Sequence, residues 1–297
     1  MGEAPGTTAK QSWAFRENEQ IVPGRSAVQL LGGGIRAEAW LCWDELLHSL
    51  VVAKLLRPSF VDDDGARSAL AREARTLGEL AHPAIVRKFD AVLDGPRPHL
   101  VLEALDGPRV STLLRYYGPL SPEQLVPLGL EVASALAYMH NRDYVHLDIK
   151  PRNIIMAASP RLIDLGMART RGQLAKLTSP LGTKAYMAPE QCRAETLPML
   201  GPPADVWGIG ATLYEAVSGR IPFPPDEQAG DYPQAAGGQP PQLDRRIPPP
   251  IARIVISCLD PDPAGRPTAA GLASTLEDLF GESRAVASRR LKARIRR

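Results

Sequence analysis

The stretch "HLDIKPRN", His146 to Asn153, sets an acid, a base and an amide in one short loop, behind the apolar pair Tyr144 and Val145. Two readings meet here. One is a polar loop joining two core elements. The other is a catalytic loop. In it Asp148 accepts a proton from an attacking hydroxyl, Lys150 offsets developing negative charge, and Asn153 offers a neutral oxygen to a hard cation. Downstream, "LIDLGMA", 162–168, places Asp164 after an apolar strand and before a glycine. A carboxylate there can complete a metal site, although an ordinary Asp-x-Gly turn gives the same letters.

Upstream, "LGGGIRAEAW", 31–40, follows strand-like text. Glycines let backbone N–H groups approach phosphate oxygens without obstruction, and they also serve a plain hairpin turn. "VVAK", 51–54, ends in Lys54 on an otherwise apolar strand. A buried lysine needs an anion; an edge lysine snorkels outward. "DDDGARSALAREARTLGEL", 62–80, has an acidic start and apolar residues at Leu70, Ala74, Leu77 and Leu80, the spacing of a helix. Glu73 on that helix is a partner for Lys54, unless it stays with the neighbouring Arg72 and Arg75. Further on, "GTKAYMAPE", 182–190, ends in Glu190, and "DPDPAGRP", 260–267, offers Arg266 as its distant partner.

Around these motifs the chain divides in two. Residues 1–24 read as a polar, loosely held extension. The text "AVQLLGGG", "AEAWLCWD" and "SLVVAKLL" reads as strands, "DELLH" between the last two lacks a tight-turn signature, and 82–105 returns to strand text after the helix. From about residue 109 helices dominate: 121–142, with Ser121 as N-cap and Pro122 behind it, then 205–219, 249–260 and 268–280. Between 221 and 250 lie nine prolines and three glycines, which predicts an irregular, mobile loop.

Bulk properties narrow the field. Across 297 residues, 44% are hydrophobic and 23% charged, ordinary for a globular protein, and the net charge of +2 argues against nucleic acid as a partner. Cys42, Cys192 and Cys258 are scattered and odd in number, which fits a reducing compartment and excludes a CxxC metal site. The start "MGEAPGTTAKQSWAF" has no apolar run, so it does not read as a signal peptide, and no apolar window is long enough to cross a bilayer. The end "SRAVASRRLKARIRR" holds seven Lys or Arg and no acid: a solvated tail, or a contact for an anionic membrane or a partner.

Taken in order, the motifs over about residues 26–280 resemble the eukaryotic-type (Hanks-type) serine/threonine protein kinases, the bacterial members most of all. The resemblance implies an α+β bilobal fold with a small N-lobe of five strands and one helix (25–105), a larger, mainly helical C-lobe (106–280) and a basic tail (281–297). It implies ATP and Mg2+, with Mn2+ as an alternative, and a nucleotide between the lobes. Gly32, Gly33 and Gly34 would cover the phosphates, Lys54 would hold them and Glu73 would hold Lys54. Glu103 to Leu105 would form the hinge, with Leu102 at the back of the pocket; Leu31, Ala39, Val52 and Ile155 complete the nucleotide set. Asp148 would be the catalytic base, Lys150 its charge partner, and Asn153 and Asp164 the metal ligands. Asp205 would brace the catalytic loop, and 164–190 would be the activation segment. Lys150 and Thr183 match the Ser/Thr branch. Protein substrates, a cytoplasmic location, a transient homodimer for autophosphorylation and a peripheral membrane contact through the tail follow as expectations. The alternative is a pseudokinase, the same fold used as a scaffold; a small-molecule phosphotransferase fits the "APE" segment less well.

Five positions depart from the family pattern. Ala37 stands for the third loop glycine, with Ile35 and Arg36 at the tip, which predicts a stiffer or displaced loop. Ala39 and Val52 exchange the usual large and small residues about the adenine, which predicts a compensated pocket. Leu147 replaces the Arg that meets a phosphate on the activation segment, so phosphorylation of Thr170, Thr178 or Ser179 should matter little. Lys88 replaces an apolar support, so the helix bearing Glu73 should dock less firmly.

Overall fold

The computed structural model describes residues 11–225 and 232–281. The chain forms two compact units. The first runs to Ala81 and adds Val86–Leu105; the second comprises His82–Ile85 and the chain from Asp106 on.

In the first unit, β1 (Gln20–Val22), β2 (Arg25–Gly33), β3 (Ala37–Asp44), β4 (Ser49–Leu56), β5 (Lys88–Val92) and β6 (His99–Glu103) make one antiparallel sheet in the order β1-β2-β3-β4-β6-β5. Alternation sorts its side chains onto two faces. Trp40 and Cys42 of β3 and Val51, Ala53 and Leu55 of β4 enter the core with Phe15, Ile21, Ala27 and Val101. The other face carries Ala39 opposite Lys54 and Leu41 opposite Val52. The helix α1 (Asp64–Glu79) starts at Asp63, whose Oδ1 accepts the Ala66 N–H at 2.6 Å, and buries Leu70, Ala74 and Leu77.

Two expectations are corrected here. The sheet has six strands, not five, and the 1–24 segment is not loose where it is described. Phe15 stacks on Trp13 at 5.9 Å and meets Trp40 edge-on at 5.3 Å, while the Arg97 guanidinium lies over both N-terminal rings. A few large aromatic groups among polar residues dock a segment whose average polarity hides them. The "DELLH" turn also has its own device. Asp44 Oδ1 accepts the N–H groups of Leu46 and Leu47 at 2.9 and 2.8 Å, and His48 takes a positive φ of 47°.

The second unit begins with α2 (Val110–Tyr117), which no sequence signal announced, because its helical stretch is short and holds β-branched and aromatic residues. α3 (Pro122–Asn141) leads through β7 (Tyr144–Val145), β8 (Ile154–Met156) and β9 (Pro160–Leu162) to β10 (Arg169–Thr170) and α4 (Arg171–Leu174). Then come α5 (Pro202–Ser218), α6 (Pro249–Cys258) and α7 over 269–281. α5 is buried on nearly every side and ends at Gly219, whose φ of 72° needs no Cβ. α6 crosses it so closely that a Cβ on Gly210 would lie 2.5 Å from that of Cys258.

The proline-rich 221–250 segment is irregular, but its described part is anchored. Gln234 is buried and its amide donates to the carbonyls of Lys184 and Met187 at 2.9 and 3.0 Å. Residues 226–231 and the basic tail lie outside the described residues. All three cysteines are free and buried; burial pushes the thiol of Cys42 up to about 11 and those of Cys192 and Cys258 up to about 12. Among the described residues, no helix is long and apolar enough to cross a membrane.

Candidate active site

The first unit assembles one set of predicted residues. Lys54 projects from the face of β4 opposite the core, and its Nζ donates to both Glu73 oxygens at 2.7 Å. Glu73 is buried. The ion pair therefore joins β4 to α1 and presents an ammonium whose charge is held by geometry. Lys88 strengthens α1 instead of loosening it. Its Nζ donates to the Ala74 carbonyl at 2.8 Å, an anchor that an apolar residue could not supply.

The glycine turn between β2 and β3 closes through the Gly34 N–H to the Ala37 carbonyl at 2.9 Å. Gly32 needs its glycine for a φ of 119°, and Gly33 because a Cβ would meet the Ala37 oxygen at 2.5 Å. Ala37 itself is not among the described non-glycine residues with positive φ, so the missing third glycine strains nothing. Arg57 supports the turn from outside: its Nε donates to the Gly34 carbonyl at 3.1 Å and its NH1 pairs with the fully buried Glu38 at 2.9 Å. Neither residue was singled out from the sequence.

Leu31 is exposed at the lip of β2, and Leu102 is buried in β6, paired with Val52. Ala39 and Val52 are diagonal neighbours on one face of the sheet. The ladder ends at the pair Val51–Glu103, so Ala104 and Leu105 lie beyond it with backbone groups outside the sheet.

The second unit assembles the other set. Asp148 Oδ2 accepts the Lys150 Nζ at 2.7 Å and the Asn153 Nδ2 at 3.0 Å, while Oδ1 accepts the Thr183 hydroxyl at 2.6 Å. Lys150 also donates to Thr183 Oγ1 at 2.5 Å. Asn153 gives its second N–H to the Asp148 carbonyl at 2.9 Å, which turns its Oδ1 away from Asp148. β8 and β9 pair from Ile154–Leu162 to Met156–Pro160, with Ile155 opposite Arg161, and the Ile163 N–H donates to the Asn153 carbonyl at 3.0 Å. Asp164 thus follows directly on backbone tied to Asn153.

Its Oδ1 caps the turn at the Gly166 N–H at 3.1 Å. Among the described residues no three of His, Cys, Asp or Glu converge on a metal-sized site. One amide oxygen and one carboxylate suit Mg2+ that completes its shell with phosphate and water, not a self-sufficient protein cage.

Asp205, at the start of α5, holds the loop. Its carboxylate accepts the N–H groups of His146 and Leu147, both at 2.8 Å, and contacts His140 Nε2 at 2.9 Å. Leu147 adopts a positive φ of 69°, unusual without glycine, and its side chain is buried. Beyond Thr183, the Tyr186 hydroxyl donates to Glu215 Oε2 at 2.5 Å; burial lifts the pKa of both groups, with Glu215 reinforcing the effect on the phenol. Glu190 and Arg266 form a buried bidentate pair at 2.7 and 2.9 Å. His140 and Gln191, which also bonds the catalytic loop, had no sequence signal: neither lies in a motif.

Comparison with known proteins agrees with this layout. The family described as "Protein kinase domain" matches residues 25–276. The chain is 30% identical over 251 residues to the serine/threonine-protein kinase PknB of Mycolicibacterium smegmatis, an alignment that covers 80% of this chain and 40% of that protein. It is 35% identical over 233 residues to the serine/threonine-protein kinase PkaA of Streptomyces coelicolor, covering 76% of this chain and 42% of the relative. The chain thus spans about two fifths of the length of the relatives it matches.

Proposed function

The chain belongs to the protein kinase family, and from that premise we propose that it is an ATP-dependent protein serine/threonine kinase. The observation that carries the reading is Asp148, whose two oxygens are committed to a hydroxyl on one side and to Lys150 and Asn153 on the other. The Thr183 hydroxyl, at 2.6 Å, shows that Asp148 Oδ1 is placed to accept an O–H proton. When bound, ATP would supply the phosphoryl group and Mg2+ would neutralise its charge. Asp148 orients the acceptor hydroxyl and takes its proton as the new P–O bond forms and the bond to the departing ADP breaks. Lys150 screens the charge gathered on the transferred group.

Asn153 and Asp164 would hold the metal by oxygen. Lys54, fixed by Glu73, would hold the non-transferred phosphates, and the glycine turn would cover them with backbone N–H groups. Leu31, Ala39, Val52, Leu102 and Ile155 would enclose the adenine, and backbone groups of Glu103 to Leu105 would read its edge. The acceptors are proteins, presented to the segment that ends at Glu190. The three free cysteines support a cytoplasmic setting.

The test is transfer from labelled ATP to casein by the purified chain. Asp148→Asn is expected to lower the rate by about 10²–10⁴-fold while nucleotide still binds. A wild-type chain that binds nucleotide but transfers no phosphate would replace the enzyme with a scaffold.

A further inference from the structure

Gln191 stands just after the segment that ends at Glu190, and it is buried to 1% exposure. Its amide nitrogen carries two protons, and both go to backbone carbonyls from different parts of the chain. One meets Leu147 O at 2.8 Å; the other meets Leu181 O. Leu147 immediately precedes Asp148, and Leu181 lies two residues before Thr183. The amide therefore fixes the separation of the two backbone stretches that bring Asp148 and Thr183 within 2.6 Å of each other.

Two further features are shaped to it. Gly182 has a φ of 140°, and a Cβ there would fall 2.6 Å from Gln191 Nε2 and 2.9 Å from Leu147 O, so only glycine lets the amide pass. Leu147, in its strained conformation, is gripped at both ends of its backbone: Asp205 accepts its N–H and Gln191 donates to its carbonyl. Its own side chain is apolar and buried and offers nothing to an anion.

We propose that Gln191 is a positioning residue: it clamps residues 181–183 onto the catalytic loop and so aligns Asp148 with the acceptor site without a phosphate group on the segment. The inference deepens the kinase reading and rests on it. A neutral amide does the holding, so the clamp is closed in the unmodified chain. Modification of Thr170, Thr178 or Ser179 then has little left to order.

The test uses the full chain, expressed with a phosphatase, and Gln191→Met, which keeps length and bulk but has no donor. The expected result is a kcat for casein phosphorylation at least tenfold lower and a KM for ATP changed less than twofold, with a Tm lowered by the two carbonyls left unpaired but still far above the assay temperature. Hydrogen exchange should rise together in peptides covering 146–153 and 177–183. Gly182→Ala, which blocks the amide sterically, should reproduce the loss of kcat and the coupled exchange, with a lower Tm because alanine is strained at that φ. The triple variant Thr170→Ala, Thr178→Ala, Ser179→Ala should keep at least half of the wild-type kcat.

A Gln191→Met chain with wild-type kcat, or one whose KM for ATP changes as much as its kcat, would overturn the proposal, as would a tenfold loss in the triple variant. The exchange readout needs no activity. A wild-type chain without transfer would fail the kinase reading, while coupled exchange in Gln191→Met would still report the clamp.

Discussion

Each unit of the molecule holds a buried glutamate–arginine pair, Glu38–Arg57 in the first and Glu190–Arg266 in the second, and the two pairs do different work. Glu190–Arg266 is closed. The guanidinium meets both carboxylate oxygens, gives its remaining donors to the carbonyls of Asp260, Pro203 and Pro261, and lies 5.0 Å from the Trp207 ring centroid. Glu190 and Trp207 are buried beside the start of α5, and the three carbonyls close around the guanidinium from the backbone. Glu38–Arg57 is open. Arg57 touches Glu38 through Nη1, which also reaches the Gln11 carbonyl, and gives Nε to the Gly34 carbonyl; the second Glu38 oxygen takes the Trp13 N–H and the Trp40 indole at 3.1 and 2.9 Å. A buried pair is weak evidence for stability in itself, because desolvation offsets most of the attraction. What distinguishes the two is what each one holds: a rigid core in one case, a turn and a docked terminal segment in the other.

The contrast can be broken by removing one partner at a time. Arg266→Met strands a buried carboxylate and should cost about 3–5 kcal/mol, read as a lower urea midpoint. A loss under about 1 kcal/mol would mean that Glu190 finds another partner and the pair is not closed. Glu38→Gln keeps an acceptor for the two tryptophan donors but removes the charge that holds Arg57, at a cost of about 1–3 kcal/mol. Its distinguishing mark is kinetic: the KM for ATP should rise severalfold at constant kcat, as the turn at Gly34 loosens. An unchanged KM would reduce this pair to the same role as the other.

A third substitution sharpens the picture on the opposite face of the same sheet. Val52→Ala trims the half-buried side chain beside Ala39 and should weaken nucleotide binding, measured by calorimetry. Tighter binding would show that Ala39 and Val52 do not compensate each other.

Much of this was legible in the letters because the chemistry dictates residue type. Asp148, Lys150 and Asn153 share one short loop and do meet in the fold, and β3 and β4 have the bounds their alternation predicts. The Glu38–Arg57 pair was not seen, although half its signal was present. Glu38 and Asp44 share parity with Trp40 and Cys42 on β3, so the period of two sends both carboxylates inward. Their partners Arg25 and Arg57 sit on other stretches of chain, and only the fold pairs them. Gln191 is harder still, since an amide clamp on two carbonyls has no required spacing. The docking of residues 13–15 was hidden by averaging, because their aromatic groups are outnumbered by polar neighbours.

The buried thiols have a practical consequence. Alkylation proceeds through the thiolate, and all three cysteines combine enclosure with acidity suppressed to about 11 or 12. In the native molecule they should be silent towards maleimides, so any label records an opening event. Cys42 times the first unit, Cys192 and Cys258 the second, and a single mass-resolved time course would rank which half of the protein breathes first.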